Sequence, residues 1–319
     1  SALAGNASKP KINIGDMENR GIDLNMTWRD KVGDFDYSIG LNLSHYKNKL
    51  TEIGTDAGIF TGTRISNMNV LMKGHAVGMF HGYQLDGIYK SEDEVRNYKN
   101  DNGQTVLPFT VSDPEKLIAS DFVGKYKVKD INNDGKIDAD DRTFIGNPHP
   151  DLTGGLNLSL GWKGFDLSTY LYFSIGNDIF AMYKYYTHYG ALQSAYSKDR
   201  RDNSWHPETN PDGIYQMWAT VGGEGDLAAN QSNSGYIEDG SFLRMQTLTL
   251  GYTLPKKILN KIKMEKIRVY GQVANVFTIT GYSGLDPQVR TDNGSGGSND
   301  RNMGTDFGSY GMPRQFILG

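Results

Sequence analysis

The chain has 319 residues, no cysteine, 39 glycines, 19 tyrosines and a formal net charge of −4. These values exclude a disulfide framework and thiolate chemistry, and they leave no basic footprint for nucleic acid. A mean hydropathy of −0.54 excludes an α-helical membrane protein, but not a membrane β-barrel, whose lipid-facing residues are diluted one to one by polar lumen residues.

Alternation of period two begins early. In GIDLNMTWR, Ile22, Leu24, Met26 and Trp28 fall on one face, and Asp23, Asn25, Thr27 and Arg29 on the other. After the short polar turn RDKVGD, the stretch YSIGLNLSHY sets Tyr37, Ile39, Leu41 and Leu43 against Ser38, Gly40, Asn42 and Ser44. A long connection from about Thr51 to Lys73 follows, with one doubtful strand near Ile65 to Met72. A second runs from about Ser91 to Asp151.

Within that second connection lies DINNDGKIDADDR, Asp130 to Arg142. Side-chain oxygens at Asp130, Asn132, Asp134, Asp138 and Asp141, with Gly135 at the bend, have the spacing of a twelve-residue calcium loop over 130–141. Lys136, at position seven, offers its backbone carbonyl. Asp141 stands where an EF-hand has a longer Glu. Five carboxylates (counting Asp140) within twelve residues repel one another unless a cation lies among them. An Asp/Asn/Gly-rich surface turn without metal is the alternative. The strand-like approach FVGKYKVKD and the proline-stiffened IGNPHPD beyond argue for a structural calcium staple rather than a helix–loop–helix sensor.

The strand pattern then returns. Leu156, Leu158, Leu160 and Trp162 alternate with Asn157, Ser159 and Gly161, turn at Lys163-Gly164, and continue as Phe165, Leu167, Leu171 and Phe173. A third long connection, about Asp178 to Gly240, carries the aromatic string YKYYTHY. Its rings Tyr183, Tyr185, Tyr186 and Tyr189, with Trp205 and Trp218, are candidates for contact with substrate or partner, or for packing of the loop itself. A third hairpin runs through FLRMQTLTLGY, the helical turn PKKILNKIK and IRVYGQVANVFTIT, before a last long connection from Tyr282 to Phe307. The tip SGGSND (Ser295–Asp300) reads as a flexible loop, and GGEG from Gly222 is too weak for a nucleotide site.

A soluble sandwich would alternate as well, so the aromatics decide. Trp28, Tyr37, Trp162, Phe165 and Tyr252 lie on the apolar face beside the short turns, as the interfacial girdle of a transmembrane barrel does. Short connections at the girdle and long ones opposite have the asymmetry of outer-membrane barrels. The expected fold is therefore all-β, with eight or nine antiparallel strands, too few for their loops and so part of a larger transmembrane barrel. Catalytic motifs are absent, and the six histidines lack metal-ligand spacing, so no enzyme activity is expected.

The strings DINNDGKIDADDRTFIGNPHPDLTGG, YIEDGSFLRMQTLTLGYTLP and VYGQVANVFTITGYSGLDPQV resemble the C-terminal part of the SusC/RagA-type TonB-dependent transporters of Bacteroidetes outer membranes. MENRGIDL, VGMFHGYQLDGIY and DNSWHPETNP fit the same pattern, so the resemblance covers essentially residues 1–319. It implies the last strands of a barrel of about 22, with residues 91–151 as an extracellular loop. It also implies import of large oligosaccharides, glycans or peptides, energised through the TonB complex, with a SusD-like surface lipoprotein as partner. The family's plug domain has no counterpart here, so the chain is expected to complete its barrel with the remaining N-terminal part of the transporter. The rival reading is a secreted, soluble β-sandwich that binds carbohydrate and carries a dockerin-like calcium loop.

Overall fold

A computed structural model describes residues 15–55, 58–62, 65, 67–189, 196–218, 231–289 and 302–319. The strings GGEG and SGGSND lie outside the described residues. Two strands open the chain, β1 (Gly15–Val32) and β2 (Phe35–Ile53). The short strands β3 (Ile59–Thr61), β4 (Asn69–Leu71), β5 (Met79–Tyr83) and β6 (Leu85–Ile88) follow, then helix α1 (Glu92–Asn97) and strands β7 (Tyr126–Val128) and β8 (Arg142–Gly146). Next come β9 (Leu152–Trp162), β10 (Phe165–Ile175), β11 (Asp178–Phe180), helices α2 (Tyr183–Thr187) and α3 (Lys198–Asp202), and β12 (Ile237–Asp239). The chain closes with β13 (Phe242–Thr253), helix α4 (Lys256–Leu259), β14 (Arg268–Thr280) and β15 (Gln315–Leu318).

Seven of these strands form one open antiparallel sheet in the order β1-β2-β9-β10-β13-β14-β15. That is fewer than the expected eight or nine, because the doubtful segment near Ile65–Met72 supplies β4 to a separate sheet, β3-β4-β5-β8. The two connections expected on either side of that segment are therefore one, joining β2 to β9. All three long connections, β2 to β9, β10 to β13 and β14 to β15, leave the same end of the sheet. The three short ones close the other end.

The short turns follow from local chemistry. Gly33 takes φ +62° between Val32 and Phe35, and Lys163 and Gly164 both take positive φ, the conformation a two-residue hairpin needs to match strand twist. The third short connection is α4 with its 3-10 continuation, ended by Lys263 at φ +57°. The lysines of this segment are solvent-facing and Leu259 is buried.

The compact core sits among the long connections rather than in the sheet. Ile65, Met68, Phe80, Phe180, Met182, Tyr189, Tyr215 and Tyr236 form one buried cluster drawn from two connections. Backbone hydrogen bonds lace those connections together: Tyr83 N–H donates to Ser232 at 2.9 Å, and Phe180 N–H to Gly304 at 2.9 Å. The result is a layer of loops with its own core, seated on one end of the sheet.

Candidate functional site

Register sorts the large sheet into two chemically different faces. Pairing sets Leu24 opposite Leu43, Met26 opposite Leu41 and Trp28 opposite Ile39. The row continues through Leu156 and Leu171, Leu160 and Leu167, and Leu248 and Val273 onward to Phe316. This face is uncovered: Ile22 is 74%, Trp28 64%, Val269 58% and Ile279 62% exposed. In water each such side chain forgoes about 1.5–3 kcal/mol of burial, so the face requires an apolar solvent.

The aromatic residues lie where a membrane boundary needs them. Phe35 pairs with Trp162, Trp162 with Phe165, and Phe165 with Tyr252, a continuous row across four strands. Phe165 and Tyr252 rings are 4.5 Å apart, and the Lys163 ammonium lies 5.4 Å from the Trp162 ring. Trp28 and Tyr37 stand slightly above this row. Phe35 belongs to the girdle but is missed by periodicity, because the turn is two residues long and the strand starts earlier than the polar string RDKVGD suggests.

The opposite face is polar. Asn25 pairs with Asn42, and Ser159 with Ser38 and Ser168. Arg268 spans a neighbouring strand to place both guanidinium nitrogens on Asp166, at 2.9 and 2.5 Å. Gly251 lies between them, and a β-carbon there would collide with the Arg268 side chain. At the upper end Asn48 receives the Val77 amide at 2.7 Å, so this is the face that meets the loop layer.

Among the aromatic loop residues, Tyr189 and Trp205 are buried, 0% and 2% exposed. Tyr189 packs at 4.9 Å on Tyr236, and Trp205 lies against Gly124; both are internal packing residues and present no surface. Tyr183, Tyr185 and Tyr186 are half-buried, and Trp218 is 44% exposed, edge-on to Tyr196 at 4.2 Å. Tyr183 borders a largely apolar cleft of about 390 Å³ with Thr187, His188, Asp199, Leu285 and Asp306. Its hydroxyl shares a hydrogen bond of 2.6 Å with Ser283. Below it Lys184 and Glu238 form a buried ion pair at 2.9 Å. Burial alone would raise the Glu238 pKa, but the Lys184 charge and Ser283 hydrogen bonds hold it below the usual range.

One grouping that no spacing announced is Ser197, His188 and Asp199. Ser197 Oγ lies 3.1 Å and Asp199 Oδ2 3.2 Å from the same ring nitrogen, His188 Nε2. A nucleophile–base–acid relay needs the carboxylate on the other nitrogen, which here faces Thr187 at 2.8 Å. The set is therefore structural. Burial pushes His188 toward the neutral form.

In the 130–141 loop, Asp130 and Asp141 are 1% and 0% exposed. Asp130 Oδ2 accepts from Gly135 N–H at 2.8 Å and Asn100 Nδ2 at 2.9 Å, while Oδ1 is buried without a partner. Asp141 accepts from Ile131 and Asp138 amides at 2.9 and 2.8 Å. Burial, with the neighbouring Asp130 charge, raises Asp141; at Asp130 burial is outweighed by hydrogen bonds that lower it. Asn132, Asp134 and Asp138 turn their oxygens to amides two residues on, and Lys136 is exposed. Gly135, at φ +83°, makes the bend. Among the described residues, no group of three or more His, Asp or Glu side chains converges as a metal site.

No protein-family model matches the chain. It is 29% identical over 318 residues to TonB-dependent receptor P3 of Formosa agariphila, covering 96% of this chain and 29% of that protein. With TonB-dependent receptor SusC of Bacteroides thetaiotaomicron it shares 27% identity over 316 residues, covering 96% and 26%. The solved RagAB peptide transporter superposes with a TM-score of 0.68 at 20% identity, over 96% of this chain and 29% of that one. The chain thus spans less than a third of the length of the curated relatives it matches. With the bare apolar face, the aromatic row and the one-sided loops, these similarities show a chain that resembles TonB-dependent receptors, SusC among them, in sequence and the RagAB transporter in fold, and that forms an arc of an outer-membrane β-barrel.

Proposed function

We propose that this chain forms part of the wall and the extracellular loop layer of an outer-membrane importer for oligosaccharides, glycans or peptides. In this reading import is driven through TonB by way of a plug contributed by the rest of the protein. The observation that carries it is the seven-stranded sheet with one uncovered apolar face, closed at one end by aromatic rings and at the other by a structured loop layer. A soluble sandwich would need a second sheet over that face, and none covers it among the described residues. The loop layer is the surface on which a SusD-like lipoprotein would dock. Trp218 and the cleft beside Tyr183 are the surfaces left for cargo or partner once Tyr189 and Trp205 are assigned to packing.

Calcium has a structural role in this proposal. The buried, unpartnered Asp130 Oδ1 and the second buried carboxylate at Asp141 fit a hard cation. Asn132, Asp134, Asp138 and the Lys136 carbonyl are within the same turn system and would complete an oxygen shell. The cation would supply charge neutralisation and loop rigidity.

The test uses the full-length protein expressed in an outer membrane. It should extract only with detergent and shift its gel mobility on boiling. Deletion of its gene should abolish uptake of either a labelled oligosaccharide or a labelled oligopeptide. Extraction in buffer without detergent would sink the barrel reading, and unchanged uptake of both cargo classes would sink the importer reading.

A further inference from the structure

Outside the loop layer, one charged feature of the sheet is not explained by import. Arg20, Lys47 and Lys49 gather with Glu18, Ile22 and His45 around a depression of about 510 Å³ on β1 and β2. Register fixes which way they point. Glu18 pairs with Lys49, Arg20 with Lys47, and Ile22 with His45, in series with Leu24–Leu43 and Met26–Leu41 below. The cations therefore stand on the outward, lipid-facing side. The residues between them, Asn19, Asn48, Gly21 and Tyr46, face inward, and Asn48 meets the loop layer. At this height charge is segregated onto the face that is apolar from Ile22 down to Trp28.

Height places the cluster at a boundary. From Val32, in the aromatic row, to Ile22 the strand climbs ten residues, about 33 Å at ~3.3 Å per residue. At the usual tilt near 40° this is about 25 Å of height, the depth of a barrel's apolar band. Arg20, Lys47 and Lys49 begin where that band stops, on the side of the long connections. Farther round the sheet the outward face carries Ile175, in register with Ile22 and 48% exposed, and Ile279, in register with Leu24 and 62% exposed, so the apolar row below the cations runs on around the sheet. Arg20 remains 80% exposed although it pairs with Glu18 at 2.5 Å, leaving a net positive patch open to the bilayer.

We propose that this patch binds the phosphorylated headgroup of a glycolipid in the outer leaflet, with its acyl chains lying on Ile22, Leu24, Leu41 and Leu43. The inference rests on the barrel reading of the sheet. The three cations complement phosphate, and the continuous aliphatic strip below them complements acyl chains; a soluble anion would use only the first. A solvated strand end needs neither the segregation to one face nor the match in height.

Native mass spectrometry on the full-length protein in mild detergent tests it, with a phosphorylated lipid A, its dephosphorylated form and inorganic phosphate as probes. The wild type should retain phosphorylated lipid A, and Lys47→Gln/Lys49→Gln should retain it at least tenfold less with unchanged heat-modifiable mobility. Equal retention by the variant, equal binding of the dephosphorylated lipid, or charge-dependent binding of phosphate alone at the same strength would each overturn the proposal. If the double variant fails to fold, Lys47→Arg/Lys49→Arg decides: retention supports the site, and loss in a folded protein overturns it. A wild type without heat-modifiable mobility overturns the barrel reading itself, and the two failures are thereby distinguishable.

Discussion

Asp130 and His81 illustrate what a buried polar atom costs when nothing answers it. Asp130 is held by Asn100 and Gly135 through one oxygen only, and an unanswered buried oxygen is worth about 1–3 kcal/mol. Replacing Asp130 and Asp134 with Ala should loosen the 130–141 loop without abolishing barrel assembly. Limited proteolysis checks this: cleavage in the loop should rise several-fold in the variant, and in the wild type only after chelation. Cleavage that ignores both the substitutions and the chelator would remove calcium from the account. His81 lies between Phe60 and Phe144, with ring centroids 5.1 and 6.0 Å away. Burial, aided by the Arg142 charge, lowers its pKa from 6.5 to about 4. Because the folded form resists the proton, its stabilising contribution is complete above pH 6.5 and is lost as pH falls from there to about 4. Hydrogen exchange at β5 and β8 should accelerate over that window in the wild type, and His81→Gln should flatten the response.

For the strands the two faces give opposite expectations. Met26→Arg, on the apolar face and about midway between Val32 and Ile22, should lower barrel stability by about 2–4 kcal/mol; Asn25→Arg, one residue away and facing inward, should be tolerated. Heat-modifiable mobility over a temperature series compares them, and equal losses would contradict the assignment of faces. These hairpins were legible in the sequence because period two repeats over strands of 11 to 19 residues, too long for chance alternation. The small loop strands were not. β11 and β12 have three residues each and pair Asp178 with Asp239, so neither periodicity nor a turn signal announces them. Nor could composition separate Tyr189 and Trp205, which face inward, from Trp218, which does not. A ring in a loop reads the same until its neighbours from another connection are placed.

At the scale of the molecule, the chain is a wall whose solvent on one side is lipid and whose rigidity on top comes from loops built as a small domain. Lys184–Glu238, Arg244–Asp286 and the Tyr282–Asp306 hydrogen bond bind that domain internally and to the wall. The sheet itself is open at β1 and β15, so closing it into a barrel takes further strands at both edges.

The bond from Tyr83 to Ser232, and that from Leu85 to Ser234, whose partners are 149 residues apart, has a consequence for the order of biogenesis. Loop-closure entropy delays such distant contacts, and these join segments that leave the sheet in different connections. The hairpins are therefore expected to thread through the membrane before the clasp between them closes. In a time course of membrane insertion, heat-modifiable mobility should appear first and protease protection of Gln231 to Ser234 later. Simultaneous appearance would mean that the layer forms with the wall. If the order holds, the clasp serves the cell as a seal of completed insertion: only a fully threaded barrel presents a closed surface to the outside.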